Sequence, residues 1–143
     1  MSVTVDANLL LYASDRASRF YDPATVTLRR LAQGPGLVYL FWPVIMAYLR
    51  IATHSAIFDS PLAPDEATGN IDSLLRLPHV RSPSEDEIFW TTYLDVTAPG
   101  PVRGNLVPDA HIAALMRRHG VRDIFSLDRD FRRFEGIRTL DPL

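Results

Sequence analysis

Hydrophobic positions follow two different spacings along the chain, and stretches of the two kinds alternate. Short runs of apolar and β-branched residues at 3–5, 37–41 and 123–127 are typical of buried strands. Between these runs, apolar residues recur every three or four positions, which predicts amphipathic helices. Alternation of strands with helices favours a parallel sheet covered by helices on both faces. The pattern therefore predicts an α/β protein.

Prolines, glycines and capping residues indicate where the predicted helices begin and end. The helices are expected over 7–13, 25–32, 44–52, 64–77, 84–94 and 109–119. The fifth of these rests on the capping signature Ser-Glu-Asp-Glu at 84–87, and Gly120 is a natural cap for the sixth. Further short strands are predicted at 79–81 and 137–140. The one long irregular segment, 98–105, leads directly into the sixth helix, and long loops in compact domains are often functional.

Composition excludes several classes of function. The 143 residues predict a single domain, 1–143, and all 15 basic residues are arginine. Without lysine the chain cannot be a Schiff-base enzyme or carry a lysine-containing phosphate loop. Without cysteine it has no disulfide, thiol nucleophile or zinc–thiolate site. No apolar run approaches the ~18 residues that span a bilayer, so we expect a cytoplasmic protein that does not contact membranes.

Aspartates are placed where predicted strands and helices meet. Asp6 follows the first strand, Asp128 and Asp130 follow a late strand, and Asp109 lies in the first turn of a helix. Because parallel strands end at the same edge of a sheet, these carboxylates can converge. Clustered carboxylates repel one another unless a cation neutralises them, and Mg²⁺ or Mn²⁺ prefers such oxygen ligands. This is the chemistry of a metal-dependent phosphodiesterase or nuclease.

Each of these residues also has a structural interpretation. An aspartate at a strand end can be a turn former or a cap, and one at a helix start can be a cap. Arg117, Arg129 and Arg132 could hold an RNA backbone, since guanidinium groups match phosphate oxygens, or they could be solvated surface residues. The four histidines lack the spacing of a metal site. Trp42, Trp90 and Tyr93 could stack on bases, although packing in the core is the favoured role for each.

Four segments in chain order resemble the PIN-domain ribonucleases, and most closely the VapC toxins of bacterial VapBC toxin–antitoxin pairs. They read VTVDANLLLYA at 3–13, LRIATH at 49–54, NLVPDAHIAA at 105–114 and SLDRDF at 126–131. The resemblance implies a three-layer α/β/α sandwich with a central parallel β-sheet and a homodimeric protein. It implies an endoribonuclease that uses Mg²⁺ or Mn²⁺ to cleave tRNA, rRNA or mRNA and so inhibits translation and growth. It also implies a VapB-type antitoxin as partner, which inserts a C-terminal segment into the active site.

Carried over by position, the resemblance assigns the site residues. Asp6, Asp109 and Asp128 correspond to the catalytic and metal-binding acids, and Asp130 is an accessory ligand. Asn8 and Ser126 match polar residues that support this cluster.

In one position the chain departs from the family pattern. The family usually carries a glutamate on the helix after the second strand, where Ala47 is the equivalent here, and no acidic residue occurs from 23 to 58. One tightly held ion is therefore favoured over a symmetric pair. The departure keeps a second hypothesis open, in which a PIN-like domain with weak or no catalysis binds its antitoxin or RNA.

A third hypothesis is phosphate-transfer signalling through a phosphorylated aspartate, as in receiver domains and related phosphatases. Those proteins need a lysine near the aspartate, and the phosphatases also need an acid two residues later, where this chain has Asn8. The absence of lysine disfavours this hypothesis.

Overall fold

Five strands form one parallel sheet in the order β3-β2-β1-β4-β5. The computed structural model of the protein describes residues 2–143. The strands are β1 Ser2–Val5, β2 Leu37–Tyr39, β3 Val80–Arg81, β4 Asp123–Phe125 and β5 Arg138–Leu140. The flanking helices are α1 Ala7–Ser14, α2 Tyr21–Gln33, α3 Trp42–Ala52, α4 Pro64–Leu75, α5 Phe89–Thr97 and α6 Leu106–Arg118. A short 3₁₀ helix, Arg129–Arg133, joins β4 to β5. The predicted α/β class with a central parallel sheet is confirmed.

The central strand β1 is buried because both of its neighbours and the flanking helices cover it. Val3 and Val5 are in the core, and the fully buried Thr4 donates its hydroxyl hydrogen to the Tyr39 carbonyl 2.7 Å away on β2. The register aligns Val5 with Phe125 of β4. The carboxyl ends of β1 and β4 therefore lie side by side, and the residues that follow them meet.

Helix boundaries differ from the predictions where side chains find distant partners. Helix α5 begins at Phe89, not at the predicted capping signature. The carboxylate of Asp86 accepts from the Ile88 N–H at 3.0 Å and from Arg118 Nε at 2.8 Å on α6, and Glu85 lies 3.4 Å from His111. The acids of the predicted cap are thus used in contacts with α6.

Other boundaries shift by a few residues. Helices α2 and α6 begin earlier than predicted, at Tyr21 and Leu106, because Pro23 and Pro108 fit in a first helical turn, where a backbone N–H is not needed. Strand β4 ends at Phe125, two residues earlier than predicted, and Leu127 is exposed. Gly120 has φ of 69° directly after α6 ends, as predicted for a helix cap. No helix within residues 2–143 is long and apolar enough to cross a bilayer.

Candidate metal centre

The carboxyl edge of the sheet gathers acidic side chains from both ends of the chain. Asp6 follows β1 and caps α1, where its Oδ1 accepts from the Ala7 N–H at 2.7 Å. Asp128 follows β4 and caps the 3₁₀ helix, where its Oδ1 accepts from the Asp130 N–H at 2.9 Å. Asp109 is in the first turn of α6. The predicted interpretation of these aspartates as caps holds for Asp6 and Asp128, and it coexists with their convergence.

Three of these carboxylates form a compact group, which we call the acidic triad: Asp109, Asp128 and Asp130. One oxygen from each lies within 4.8 Å of the others. Asp109 and Asp128 are half-buried, whereas Asp130 is exposed. Three carboxylate oxygens at this spacing, open to solvent on one side, suit a hard divalent cation that keeps several water ligands.

The pKa of Asp109 shows the mutual repulsion of the carboxylates at this edge of the sheet. Burial, which is the largest cause, and the nearby charges of Asp128, Asp6 and Asp130 together raise the pKa of Asp109 from 3.8 to about 7. At neutral pH the carboxyl group of Asp109 is therefore partly protonated unless a cation neutralises the group. Carboxylates whose pKa is strongly raised are concentrated at functional sites.

Asp6 borders the triad and is held by a separate network. Ser126, which is buried, donates its hydroxyl hydrogen to Asp6 Oδ2 at 2.8 Å and accepts from the Asp128 N–H at 2.9 Å. Burial raises the pKa of Asp6, while the hydrogen bonds from Ser126 and Ala7 lower it. Both oxygens of Asp6 are thus used by protein donors, and Ser126 fixes Asp6 and Asp128 relative to each other.

The remaining predicted site residues lie at different distances from the triad. Asn8 is exposed in the first turn of α1, two residues after Asp6. Arg129 and Arg132 are exposed on the 3₁₀ helix that carries Asp130, and Arg132 Nε is 3.3 Å from Thr139 Oγ1. Arg117 lies eight residues beyond Asp109 on α6, where it donates to the Glu135 carbonyl at 3.2 Å. Arg129 and Arg132 therefore share the 3₁₀ helix with Asp130, whereas Arg117 lies about two turns of α6 beyond Asp109.

Ala47 is half-buried on α3 and packs against the core. Within residues 2–143 the triad receives no carboxylate from α3, in agreement with the absence of acidic residues from 23 to 58.

Two features of this molecule have no motif in the sequence. The first is a cavity of about 860 Å³ between α1, α2, α3 and α4. At this cavity the buried Tyr48 hydroxyl is 2.7 Å from Ser14 Oγ and accepts from Asn70 Nδ2 at 3.0 Å. The second feature is Arg122, which lines a cleft at the opposite edge of the sheet from the triad. Contacts between residues far apart in sequence create both, so local patterns could not indicate them.

Similarity to characterised proteins decides the family. The chain is 52% identical over 142 residues to Ribonuclease VapC48 of Mycobacterium tuberculosis, an alignment that covers 99% of this chain and 98% of that protein. The chain belongs to the VapC ribonuclease family. It is also 34% identical to Ribonuclease VapC37 of the same organism, over 96% of this chain and 95% of that one. No family model matches the chain.

The fold of solved VapC proteins agrees with this assignment. The M. tuberculosis VapC20 toxin, described as cleaving the sarcin–ricin loop, superposes with a TM-score of 0.65 at 19% identity, covering 95% of this chain and 98% of that one. The VapBC2 complex of Rickettsia felis, solved with a promoter DNA fragment, gives a TM-score of 0.67 at 14% identity, covering 98% of each chain. At these identities the comparison shows a shared fold.

Proposed function

We propose that this VapC family member is a metal-dependent endoribonuclease, the toxin of a toxin–antitoxin pair, with the acidic triad and Asp6 as its catalytic centre. The observation that supports the proposal is the convergence of three carboxylates within 4.8 Å at the carboxyl edge of a parallel sheet. Ligands of α/β proteins bind at that edge. RNA is the substrate class because the relatives are named as ribonucleases.

The proposed ion is Mg²⁺ or Mn²⁺, held by Asp109, Asp128 and Asp130. All three donors are carboxylate oxygens, and the chain has no cysteine, so the donor set suits a hard cation. Such an ion neutralises charge and polarises a phosphoryl oxygen when it is bound.

The surrounding side chains have distinct roles in this proposal. Ser126 holds the Asp6 carboxylate and the Asp128 backbone in fixed positions, so that the triad is organised before substrate binds. Asp6 adds negative charge beside the triad and so favours a cation there. The exposed Arg129 and Arg132, next to Asp128 and Asp130, are placed to hold the phosphates that flank the cleaved bond.

The experiment that tests this proposal is cleavage of a random-sequence single-stranded RNA pool by the purified full chain. Cleavage is expected in Mg²⁺ or Mn²⁺, none in EDTA, and at least a hundredfold loss in Asp109→Asn. The control is Asp95→Asn, because Asp95 is an exposed acid on α5 outside the triad. Cleavage that persists in EDTA, or full activity of Asp109→Asn, would show that the triad is not the catalytic centre.

A second candidate function follows from the absence of a carboxylate on α3. A domain with the triad alone could bind an antitoxin or RNA without efficient cleavage, and Ala47 favours this alternative. The two candidates differ in one measurement. If the chain binds a cation and RNA but does not cut the pool in Mg²⁺ or Mn²⁺, the binding function is correct.

The proposed partner is a VapB-type antitoxin, and the proposed free state is a homodimer. Solved structures of this fold include VapBC and FitAB complexes.

The cavity between α1, α2, α3 and α4 is mostly apolar, which suits a partner helix, and Leu28 and Leu74 line it. Co-expression with a candidate VapB-type antitoxin tests the pairing. We expect a complex that blocks cleavage, and no complex for Leu74→Asp; inhibition that survives this change would place the partner elsewhere.

A further inference from the structure

Arginine residues are concentrated in one part of the chain. Residues 117–138 contain seven of the 15 arginines and only four of the 17 acidic residues, a formal charge of +3 in a chain whose net charge is −2. Two of the four acids, Asp128 and Asp130, belong to the acidic triad. A bound cation would therefore make this part of the surface more positive still.

Most of these arginines have no acidic partner. Arg118 is paired with Asp86, and Arg138 is paired with Asp123. The other five are exposed and form no ion pair within residues 2–143, and we call them the arginine track: Arg117, Arg122, Arg129, Arg132 and Arg133. Exposed guanidinium groups without carboxylate partners are available to bind external anions.

The arginine track runs from the carboxyl edge of the sheet, where the strands end, to its amino edge, where they begin. Three of its members are on the 3₁₀ helix, which leaves the carboxyl edge at Asp128 and leads the chain back to the start of β5. Arg122 directly precedes β4 and so lies at the amino edge of the sheet. Arg117 is about 12 Å further along the α6 axis than Asp109, given the helical rise of 1.5 Å per residue. The track therefore connects the triad to the opposite edge.

At its far end the track borders a cleft of about 480 Å³ between the end of α6 and the turn before β5. Arg117 and Arg122 line this cleft together with the buried Phe134. An adjoining concavity of about 590 Å³ also has Arg122 in its lining. Gly120 and Gly136 line both concavities, and their φ angles are 69° and 81°. A Cβ atom added at either glycine would have no other atom within 4 Å. No side chain of these residues therefore obstructs the approach of a ligand.

We propose that the arginine track is an exosite for the RNA backbone, so that a strand bound at the triad continues over the 3₁₀ helix into the cleft. This inference rests on the proposed ribonuclease function. Exposed guanidinium groups that follow the chain from the triad to the cleft suit the phosphates of an RNA backbone. With an axial rise of about 3.4 Å per nucleotide in a stacked strand, the 12 Å between Asp109 and Arg117 corresponds to about four nucleotides. A longer RNA reaches both ends of the track, and a shorter one reaches the triad alone.

The test compares Arg122→Glu with Arg81→Glu. Arg81 is exposed on β3, at the opposite side of the sheet from β5, so its replacement makes the same change in net charge away from the track. Two random-sequence RNA pools serve as probes, one of 20 nucleotides and one of about three, which is too short to span the distance from Asp109 to Arg117. Affinity for the labelled longer pool is measured by fluorescence anisotropy in EDTA at several salt concentrations. Cleavage of the shorter pool is measured in Mg²⁺, and thermal unfolding checks that each variant is folded.

We expect Arg122→Glu to bind the longer pool about tenfold more weakly and to lower the slope of log affinity against log salt by about 0.7, the value for one phosphate contact. Cleavage of the shorter pool should stay unchanged, and Arg81→Glu should match the wild type in both assays. Unchanged affinity and slope in Arg122→Glu would overturn the exosite. An equal loss in Arg81→Glu would also overturn it, because net charge would then be the cause.

Two further outcomes separate this inference from its alternatives. In the first outcome, labelled poly-glutamate binds the wild type as tightly as the RNA does, and Arg122→Glu weakens the binding of both equally. The track would then bind acidic proteins, and the RNA exosite would be wrong. If the wild type binds the longer pool through Arg122 but cuts neither pool in Mg²⁺ or Mn²⁺, the exosite stands and the proposed ribonuclease function fails.

Discussion

The hydroxyl of Ser126 lies 2.8 Å from a carboxylate oxygen of Asp6, although 120 residues separate the two in sequence. The same hydroxyl accepts the backbone N–H of Asp128 at 2.9 Å. One small polar side chain thus joins the residue after β1 to the residues after β4. The arrangement of the candidate metal centre depends on this connection, because Asp128 belongs to the triad and Asp6 borders it.

Replacement of Ser126 by alanine should strongly reduce RNA cleavage and only slightly lower the free energy of unfolding. Asp6 would lose the hydrogen bond from the Ser126 hydroxyl, and Asp128 would lose the acceptor that orients its backbone. We expect RNA cleavage to fall by about 10- to 100-fold, as for other residues that position metal ligands. Unfolding free energy should fall by about 1 to 2 kcal/mol. Ser126→Thr, which keeps the hydroxyl, serves as the control, and wild-type cleavage by Ser126→Ala would contradict the positioning role.

Asp109→Asn should change stability and activity in opposite directions. Its carboxyl group is half-buried among like charges, so the neutral amide should raise the melting temperature of the metal-free protein at pH 7 by about 2 to 5 °C. Binding of Mn²⁺, measured by titration calorimetry, should be lost in the same variant. Asp95→Asn should leave both quantities unchanged. If Asp109→Asn is less stable than the wild type and still binds Mn²⁺, repulsion between the triad carboxylates does not reduce stability and the prediction is wrong.

Stability of the metal-free protein should decrease as pH rises from about 4 to 7. The pKa of Asp109 rises from its ordinary value of 3.8 to about 7 in the folded protein, so the folded state binds more protons in this window. Folding is therefore favoured at the low end of the window and loses this contribution as pH passes through 7. Added Mg²⁺ should raise the melting temperature more at pH 7 than at pH 5, since protons compete with the ion. Melting curves at constant ionic strength measure both effects, and an Mg²⁺ effect independent of pH would contradict them.

His119 should have the opposite effect on the pH dependence of stability, and the substitution His119→Phe tests this. Burial lowers the pKa of His119, the charge of Arg118 lowers it further, and its Nε2 is buried without a hydrogen-bond partner. Its ring packs parallel to Tyr39 with centroids 5.9 Å apart. The folded state thus binds fewer protons on this group, and the stability it contributes above pH 6.5 is lost as pH falls through the folded pKa. His119→Phe keeps the aromatic packing and should stabilise the protein at pH 5 by about 1 kcal/mol.

The control for this prediction is His54→Phe, because His54 is exposed and outside the core. Chemical denaturation at pH 5 and pH 8 measures the difference. A gain in His119→Phe that is equal at both pH values would assign the effect to packing and not to protonation.

Glu85 and Asp86 precede α5 but do not lie within its first turn. Local pattern predicted a helix cap there, but these side chains pair with α6 and the helix begins at Phe89. Capping signatures describe what a segment can do with its own backbone, and an arginine from another helix offers a stronger partner. Arg117 illustrates the same limit: it follows Asp109 by eight residues, but it lies towards the other edge of the sheet. Sequence proximity on a helix does not measure distance from a site.

The amino-acid sequence by itself determined the alternation of strands and helices, the parallel sheet and the acids at its carboxyl edge. Hydrophobic periodicity reports which face of each element is buried, and parallel strands of necessity end at one edge. Only the tertiary structure decided how the acids divide into a triad and a separately bonded Asp6, and that the unpaired arginines continue to the cleft at Arg122. Those outcomes depend on the register of β1 with β4 and on the path of the chain between β4 and β5, and both are set by packing between residues distant in sequence.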